Sequence, residues 1–212
     1  NVRQVADVAG ADLDPRLLGV VQSAAMGFLR HRQDLFQRRA AQGWVRDGHG
    51  DLRTGHIYIE NGAIRVIDAL EFNDDLRRID TASDLAFLAM DLDARRRPDL
   101  AEVLLETAAR ALEDPGLYAL LPFYQCYRAM VRCKVSVLRR AEPELDRRQQ
   151  DRLLQEARDY LALAGRYALQ FGRPRVWVTA GLPASGKSTL ARGLGEALGI
   201  APLRSDVLRR EL

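Results

Sequence analysis

Gly181-Leu-Pro-Ala-Ser-Gly186-Lys187-Ser188 fits the pattern GxxxxGK[ST] in full, and no other stretch limits so sharply what this chain can fold into. Before it, Val176-Trp-Val-Thr179 reads as a short strand of the buried type; after it, Lys187 to Leu198 reads as a helix stopped by Gly199. A strand, a glycine loop and a helix in that order are the context in which the pattern carries a mechanism. The glycines let backbone amides turn inward, and the helix start favours an anion. Lys187 can reach the β and γ phosphates of a nucleotide, and the Ser188 hydroxyl suits magnesium. The expectation is ATP held with Mg2+ by Gly181, Leu182, Pro183, Ala184, Ser185, Gly186, Lys187, Ser188 and Thr189, with Thr189 packing or starting the helix.

The chain upstream has a different texture. Asp14-Pro15 is a cap followed by proline at a first helical position, and Leu17, Leu18, Val21, Ala25, Phe28, Leu29 and Phe36 follow at helical spacing toward Gly43. Ile57 to Glu60, Asn61-Gly62 and Ile64 to Ile67 spell a β-hairpin, because Asn-Gly favours the positive φ angles of a two-residue turn. Helices are expected over 82–92, 99–112, 122–141 and 144–171, separated by RRRP, EDPG and EP breakers. Gly172-Arg-Pro174 resets the pattern, so the reading is two domains, 1–172 and 173–212. The fold class expected is α+β: a mostly helical body with a hairpin, then the start of a P-loop α/β domain.

Composition excludes several classes. With 47% apolar and 29% charged residues the 212-residue chain is neither disordered nor fibrous. It has no apolar run of membrane-spanning length and no signal-peptide pattern at its start, so a cytoplasmic address and no membrane partner are expected. The net charge of +3 comes almost wholly from arginine, Lys134 and Lys187 being the only lysines; a solvated basic surface is preferred over a nucleic-acid stripe. Cys126 and Cys133 lack metal or disulfide spacing and read as buried free thiols. The chain begins without methionine and stops about one turn into a helical pattern, so it reads as a piece of a longer protein.

A second phosphotransfer pattern precedes all this. His49-Gly-Asp51, the hairpin, Ile67-Asp68-Ala-Leu-Glu71 and Asp84-Leu-Ala86 occur in order. Phosphoryl transfer to a hydroxyl needs one carboxylate to orient the acceptor and take its proton, and another on the metal that bridges the phosphates. This series resembles the catalytic segment of aminoglycoside phosphotransferase-like kinases. With the P-loop included, nearly the whole chain resembles the bacterial bifunctional aminoglycoside phosphotransferase/ATP-binding protein family. The resemblance implies a protein-kinase-like C-lobe without its N-lobe, with Asp51 as catalytic base and Asp68 as metal ligand. Glu71 would support the metal shell, and Asp80 and Asp84 would cap or brace the following helix. It implies ATP, Mg2+ and a hydroxylated small-molecule acceptor.

Two departures stand out. His56 occupies the family's asparagine position, where an amide oxygen meets magnesium. It is either a metal ligand or, the preferred reading, a substitute that hydrogen-bonds Asp51 or Asp68 and orders the loop; a zinc site from His49, His56 and carboxylates ranks below both. The 48 residues before His49 contain no glycine-rich loop or strand lysine for ATP. Leu203-Arg-Ser-Asp206-Val-Leu-Arg209 resembles the segment after the second strand of small P-loop kinases. There Asp206 would be a base and Arg209 a substrate binder, although Ser-Asp is equally a helix cap.

From Cys126 to Arg152 stand eight basic residues against four acidic ones. If that region faces the acceptor, a neutral or anionic hydroxylated metabolite fits better than a polycation. The function expected is an ATP-dependent phosphotransferase. The rivals are an ATP-binding regulatory module with a pseudokinase scaffold and a nucleic-acid-end kinase; the sequence identifies no protein partner.

Overall fold

Phe28 and Phe36 lie eight residues apart, which a straight helix would separate by about 12 Å along its axis. Their ring centroids are 6.1 Å apart, and both pack on Phe123, at 5.0 and 5.4 Å. The single long helix expected from the periodicity therefore breaks at Arg32, whose φ of −122° leaves the helical region. The products are α2 (Pro15–His31) and α3 (Gln33–Ala41), preceded by α1 (Val2–Ala9). Asp14 caps α2 as expected, its carboxylate accepting the Arg16 and Leu17 amides at 2.8 and 3.4 Å.

The chain is described here from a computed structural model covering residues 2–172, 177–198 and 202–203. After α3 come β1 (Val45–Asp47), β2 (Ile57–Glu60), β3 (Ala63–Val66), the one-turn α4 (Asp74–Arg77) and β4 (Arg78–Asp80). Then follow α5 (Thr81–Ala94), α6 (Pro98–Ala111), α7 (Leu117–Arg140), α8 (Arg147–Phe171) and α9 (Lys187–Leu198). The fold is α+β, mostly helical, with two small antiparallel sheets. β2 and β3 form the expected hairpin in the register Ile57↔Val66 to Glu60↔Ala63. Its turn residues Asn61 and Gly62 both have positive φ, 51° and 79°. The pairing of β1 with β4, Val45↔Asp80 to Asp47↔Arg78, was not expected from sequence; three-residue strands carry too little alternation to be read.

Three boundaries differ from the sequence expectation. α7 begins at Leu117 and takes Pro122 into its interior, where burial of Leu117, Leu120 and Leu121 outweighs the missing amide donor. α8 begins at Arg147 because Asp146 and Gln149 form a reciprocal capping box, at 2.7 and 2.9 Å. Residues 177–180 carry no strand. A strand needs a hydrogen-bonded neighbour, and none of the described residues pairs with this run; Trp177 and Val178 are exposed.

α5 is buried around most of its circumference. On one side Phe87 and Met90 join a core with Val5, Leu13, Val21, Met130 and Leu161; on the other, Ala82, Ala86 and Ala89 meet Ala101, Leu105, Leu117 and Leu121. A helix surrounded in this way is a rigid post. No described helix is long and apolar enough to cross a membrane.

Cys126 and Cys133 are free and buried on α7, and burial pushes both thiols up to about 12 from an ordinary 9.0. The neutral thiol is the form that folding favours. Their contribution to stability is therefore complete below about pH 9 and declines as pH rises toward 12. Alkylation by iodoacetamide at pH 8 is expected to be slow in the folded protein and to accelerate in step with urea unfolding. Fast labelling before the unfolding transition would contradict this burial.

Candidate functional site

Gly48 and Gly50 decide how the HGD loop meets α5. A Cβ on Gly48 would lie 2.4 Å from the Asp84 carboxylate, and one on Gly50 would lie 2.7 Å from Leu70. Gly50 also has a φ of +80°, a conformation that side-chain-bearing residues rarely adopt. Freed of both obstacles, Asp84 accepts the His49 amide at 2.7 Å and the Gly50 amide at 3.0 Å. Arg128 of α7 closes the third side, donating to the Gly50 carbonyl at 2.8 Å and to the Ser83 hydroxyl at 3.0 Å. Burial pushes the Arg128 guanidinium down from its ordinary value, while the charges of Asp84 and Asp51 oppose that shift.

The two histidines hold the backbone of Asp51. Its amide donates to His49 Nδ1 at 3.3 Å, which leaves the His49 proton on Nε2 to donate to the Ile67 carbonyl at 2.8 Å. Its carbonyl accepts from His56 Nδ1 at 2.9 Å, and His56 Nε2 accepts from Arg53 at 2.9 Å. These tautomers follow from the hydrogen-bond network. The Asp51 carboxylate itself is gripped by Arg53, with contacts of 2.9 to 3.1 Å to both oxygens. His56 thus orders the loop with both ring nitrogens engaged.

Asp68 leaves the hairpin in a left-handed conformation, φ +61°, with its side chain exposed. Strained non-glycine backbone of this kind concentrates at functional positions. On either side of it, Ile67 and Leu70 are bonded to the His49–His56 loop. The Ile67 amide donates to the His56 carbonyl and the Leu70 amide to the His49 carbonyl, each at 3.0 Å. The segments bearing Asp51 and Asp68 are thereby zipped together through the two histidines. Glu71 is exposed near Arg77, Asp80 caps α5 by accepting the Ala82 amide at 2.8 Å, and Asp84 braces the loop instead of capping. Among the described residues no group of three or more His, Cys, Asp or Glu side chains is arranged to hold a metal ion.

Arg53, Thr54 and Asp91 are not singled out by the sequence, and Arg128 counts there only as one of the eight basic residues between Cys126 and Arg152. Arg53 is two residues from Asp51, so its nearness was legible; the roles of Asp91 and Arg128 depend on contacts 37 and 78 positions away. A cleft of about 890 Å³ lined by Asp93, Glu156, Tyr160, Arg166 and Tyr167 includes neither Asp51 nor Asp68.

In the second motif, Gly181, Ala184 and Gly186 have φ of +155°, +62° and +84°. Gly186 immediately precedes α9, whose third and fourth amides bond back to its carbonyl: Thr189 at 3.0 Å and Leu190 at 2.9 Å. Lys187 curls over the loop, its ammonium on the Leu182 carbonyl and 3.5 Å from the Ser185 hydroxyl. A loop of left-handed residues running into a helix start fits a phosphate chain. Asp206 and Arg209 lie outside the described residues.

Together these features define a helical α+β body carrying a braced His-Gly-Asp loop, followed by a P-loop segment of the nucleotide-binding class. The AAA domain family matches residues 176–212. Over a longer span the chain is 37% identical to the uncharacterized proteins Rv2004c and MT2060 of Mycobacterium tuberculosis and Mb2027c of Mycobacterium bovis. The match covers 187 residues, 87% of this chain but 36% of each relative, so the chain spans about a third of the length of these curated relatives. No solved structure matches.

Proposed function

We propose that the chain belongs to an ATP-dependent phosphotransferase that acts on a hydroxyl of a small molecule. Residues 1–172 are an aminoglycoside phosphotransferase-like kinase C-lobe, and 173–212 begin a P-loop kinase-like domain. In this reading Asp51 accepts the acceptor's proton and Asp68 holds Mg2+. Magnesium keeps several waters and commonly takes only one or two carboxylates beside the phosphates, so a full protein cage is not needed. ATP supplies the phosphoryl group, and the metal offsets its charge. In the second domain Gly181 to Thr189 enclose the phosphates, Lys187 contacts them and Ser188 faces the metal. Asp206 and Arg209 are the proposed base and substrate binder there.

The observation that carries the reading is the zipping of the Asp51 and Asp68 segments through His49 and His56. It gives two carboxylate-bearing segments one rigid frame, which is what proton removal and metal placement require of each other. The acceptor is a neutral or anionic hydroxylated metabolite, and the basic residues left to meet it are fewer than the eight between Cys126 and Arg152. Arg128, Arg132 and Arg140 are occupied with Gly50, Glu156 and Asp12.

A specific observation favours the second reading, a nucleotide-binding regulatory module with a pseudokinase half. Arg53 occupies both oxygens of Asp51, and His56 offers no oxygen at the asparagine position. The full-length parent separates the two. Asp68→Asn is expected to lower magnesium-dependent phosphorylation of hydroxylated acceptors at least tenfold, while Lys187→Ala weakens ATP binding at the P-loop about 10–100-fold, the loss of one charge-assisted contact. No acceptor phosphorylation by the parent, with metal-dependent ATP binding confined to the P-loop half and unchanged in Asp68→Asn, would establish the regulatory module.

A further inference from the structure

We propose that Asp91 is a positioning residue for Asp51 and forms, with Asp84, a two-point clasp by which α5 fixes both ends of the HGD loop. The inference rests on the reading of Asp51 as proton acceptor. Asp84 and Asp91 are seven residues apart on α5, two turns and about 10.5 Å along the axis, which returns them to nearly the same face. Both are buried, with 9% and 3% of their surface exposed. A carboxylate placed within an otherwise apolar helix is costly unless charged partners or N–H and O–H donors satisfy it.

Each has its donors in the same loop. Asp84 takes the amides of His49 and Gly50, just before Asp51. Asp91 takes the amide of Thr54 at 3.0 Å and also the Thr54 hydroxyl, just after Asp51 and Arg53. All Asp91 contacts converge on Oδ2, where half-exposed Arg95 adds a third at 3.3 Å. Asp51 therefore sits midway between two anchors on one rigid post, with its own amide and carbonyl held by His49 and His56. An error of about 1 Å in placing a reacting group can cost about 100-fold in rate, so an anchor on one side only would let the far end of the loop, with Arg53 and His56 on it, shift relative to Asp51.

Thr54 supplies the cleaner variant, since it lies on the half-buried loop and not in the α5 core. In the full-length parent, Thr54→Val and Asp91→Asn are expected to raise amide hydrogen exchange over residues 49–56 about tenfold while exchange in α7 and α8 stays as in the parent. In both variants kcat for phosphoryl transfer should fall at least tenfold with the KM for ATP within twofold, and Thr54→Ser should restore both. Unchanged exchange over 49–56 in Thr54→Val overturns the clasp, as does loss of protection throughout the chain in that variant. A parent with no phosphotransfer at all overturns the function assigned to Asp51, and the clasp is then decided by the exchange of Thr54→Val alone.

Discussion

Replacing Asp51 with asparagine is expected to lower phosphoryl transfer by the full-length protein about 10²–10⁴-fold, the range for removal of a proton acceptor. Asparagine keeps the shape and the backbone contacts to His49 and His56. It loses the negative charge and one of the two oxygens that Arg53 grips. The stability effect should be small. Arg53 and Asp51 are 21% and 28% exposed, and ion pairs of this kind contribute about 0–1 kcal/mol. A rate loss with an unfolding midpoint close to that of the parent places the effect in the chemistry. An equal loss of stability and rate would place it in the fold, and an unchanged rate would remove Asp51 from the mechanism.

Arg39→Ala should have the opposite profile: a destabilisation of about 3–5 kcal/mol, the cost of leaving buried charges without their partner. The Arg39 guanidinium forks between two carboxylates, bonding Asp80 at 2.6 and 2.8 Å and Asp114 at 2.8 and 2.7 Å. All three side chains are 3–4% exposed. Burial alone would lower the Arg39 pKa, but the bonds and charges of Asp80 and Asp114 outweigh it and raise the value, so the cation persists at every ordinary pH. Removing it strands two buried anions and loosens the end of β4, the cap of α5 and the connection between α6 and α7 together. Because Asp80 caps α5, the HGD loop braced by α5 is affected as well. Arg39→Lys should recover only part of the loss, since one ammonium cannot match two forks. Urea unfolding measures both variants; a loss below about 1 kcal/mol for Arg39→Ala would contradict the assignment.

What was legible from sequence follows the range of the interaction responsible. Asn61-Gly62 imposes its turn through the φ preferences of two adjacent residues, and Asp14-Pro15 starts a helix through bonds spanning three positions. The GxxxxGK[ST] run shapes its loop through local glycine freedom. The positions of α5, α6, α8 and α9 were likewise readable to within a few residues, because helical periodicity is local. Where long-range packing entered, the reading slipped. Phe28 and Phe36 both pack on Phe123 across the break between α2 and α3, and the buried leucines of α7 override Pro122.

The candidate site divides along the same line. That Asp51 follows a tight glycine, that Asp68 follows a hairpin and that Lys187 opens a helix could all be read from neighbouring residues, because local backbone preferences set each of them. Packing of distant elements is what brings Asp84 and Asp91 onto that loop from 34 to 37 positions away, Arg128 onto it from 78, and Arg39 between Asp80 and Asp114 across 41 and 75. A buried aspartate on a helix looks the same in sequence as a solvated one. What distinguishes them is whether donors meet the carboxylate once water has been excluded, and that is settled by the packing of whole elements.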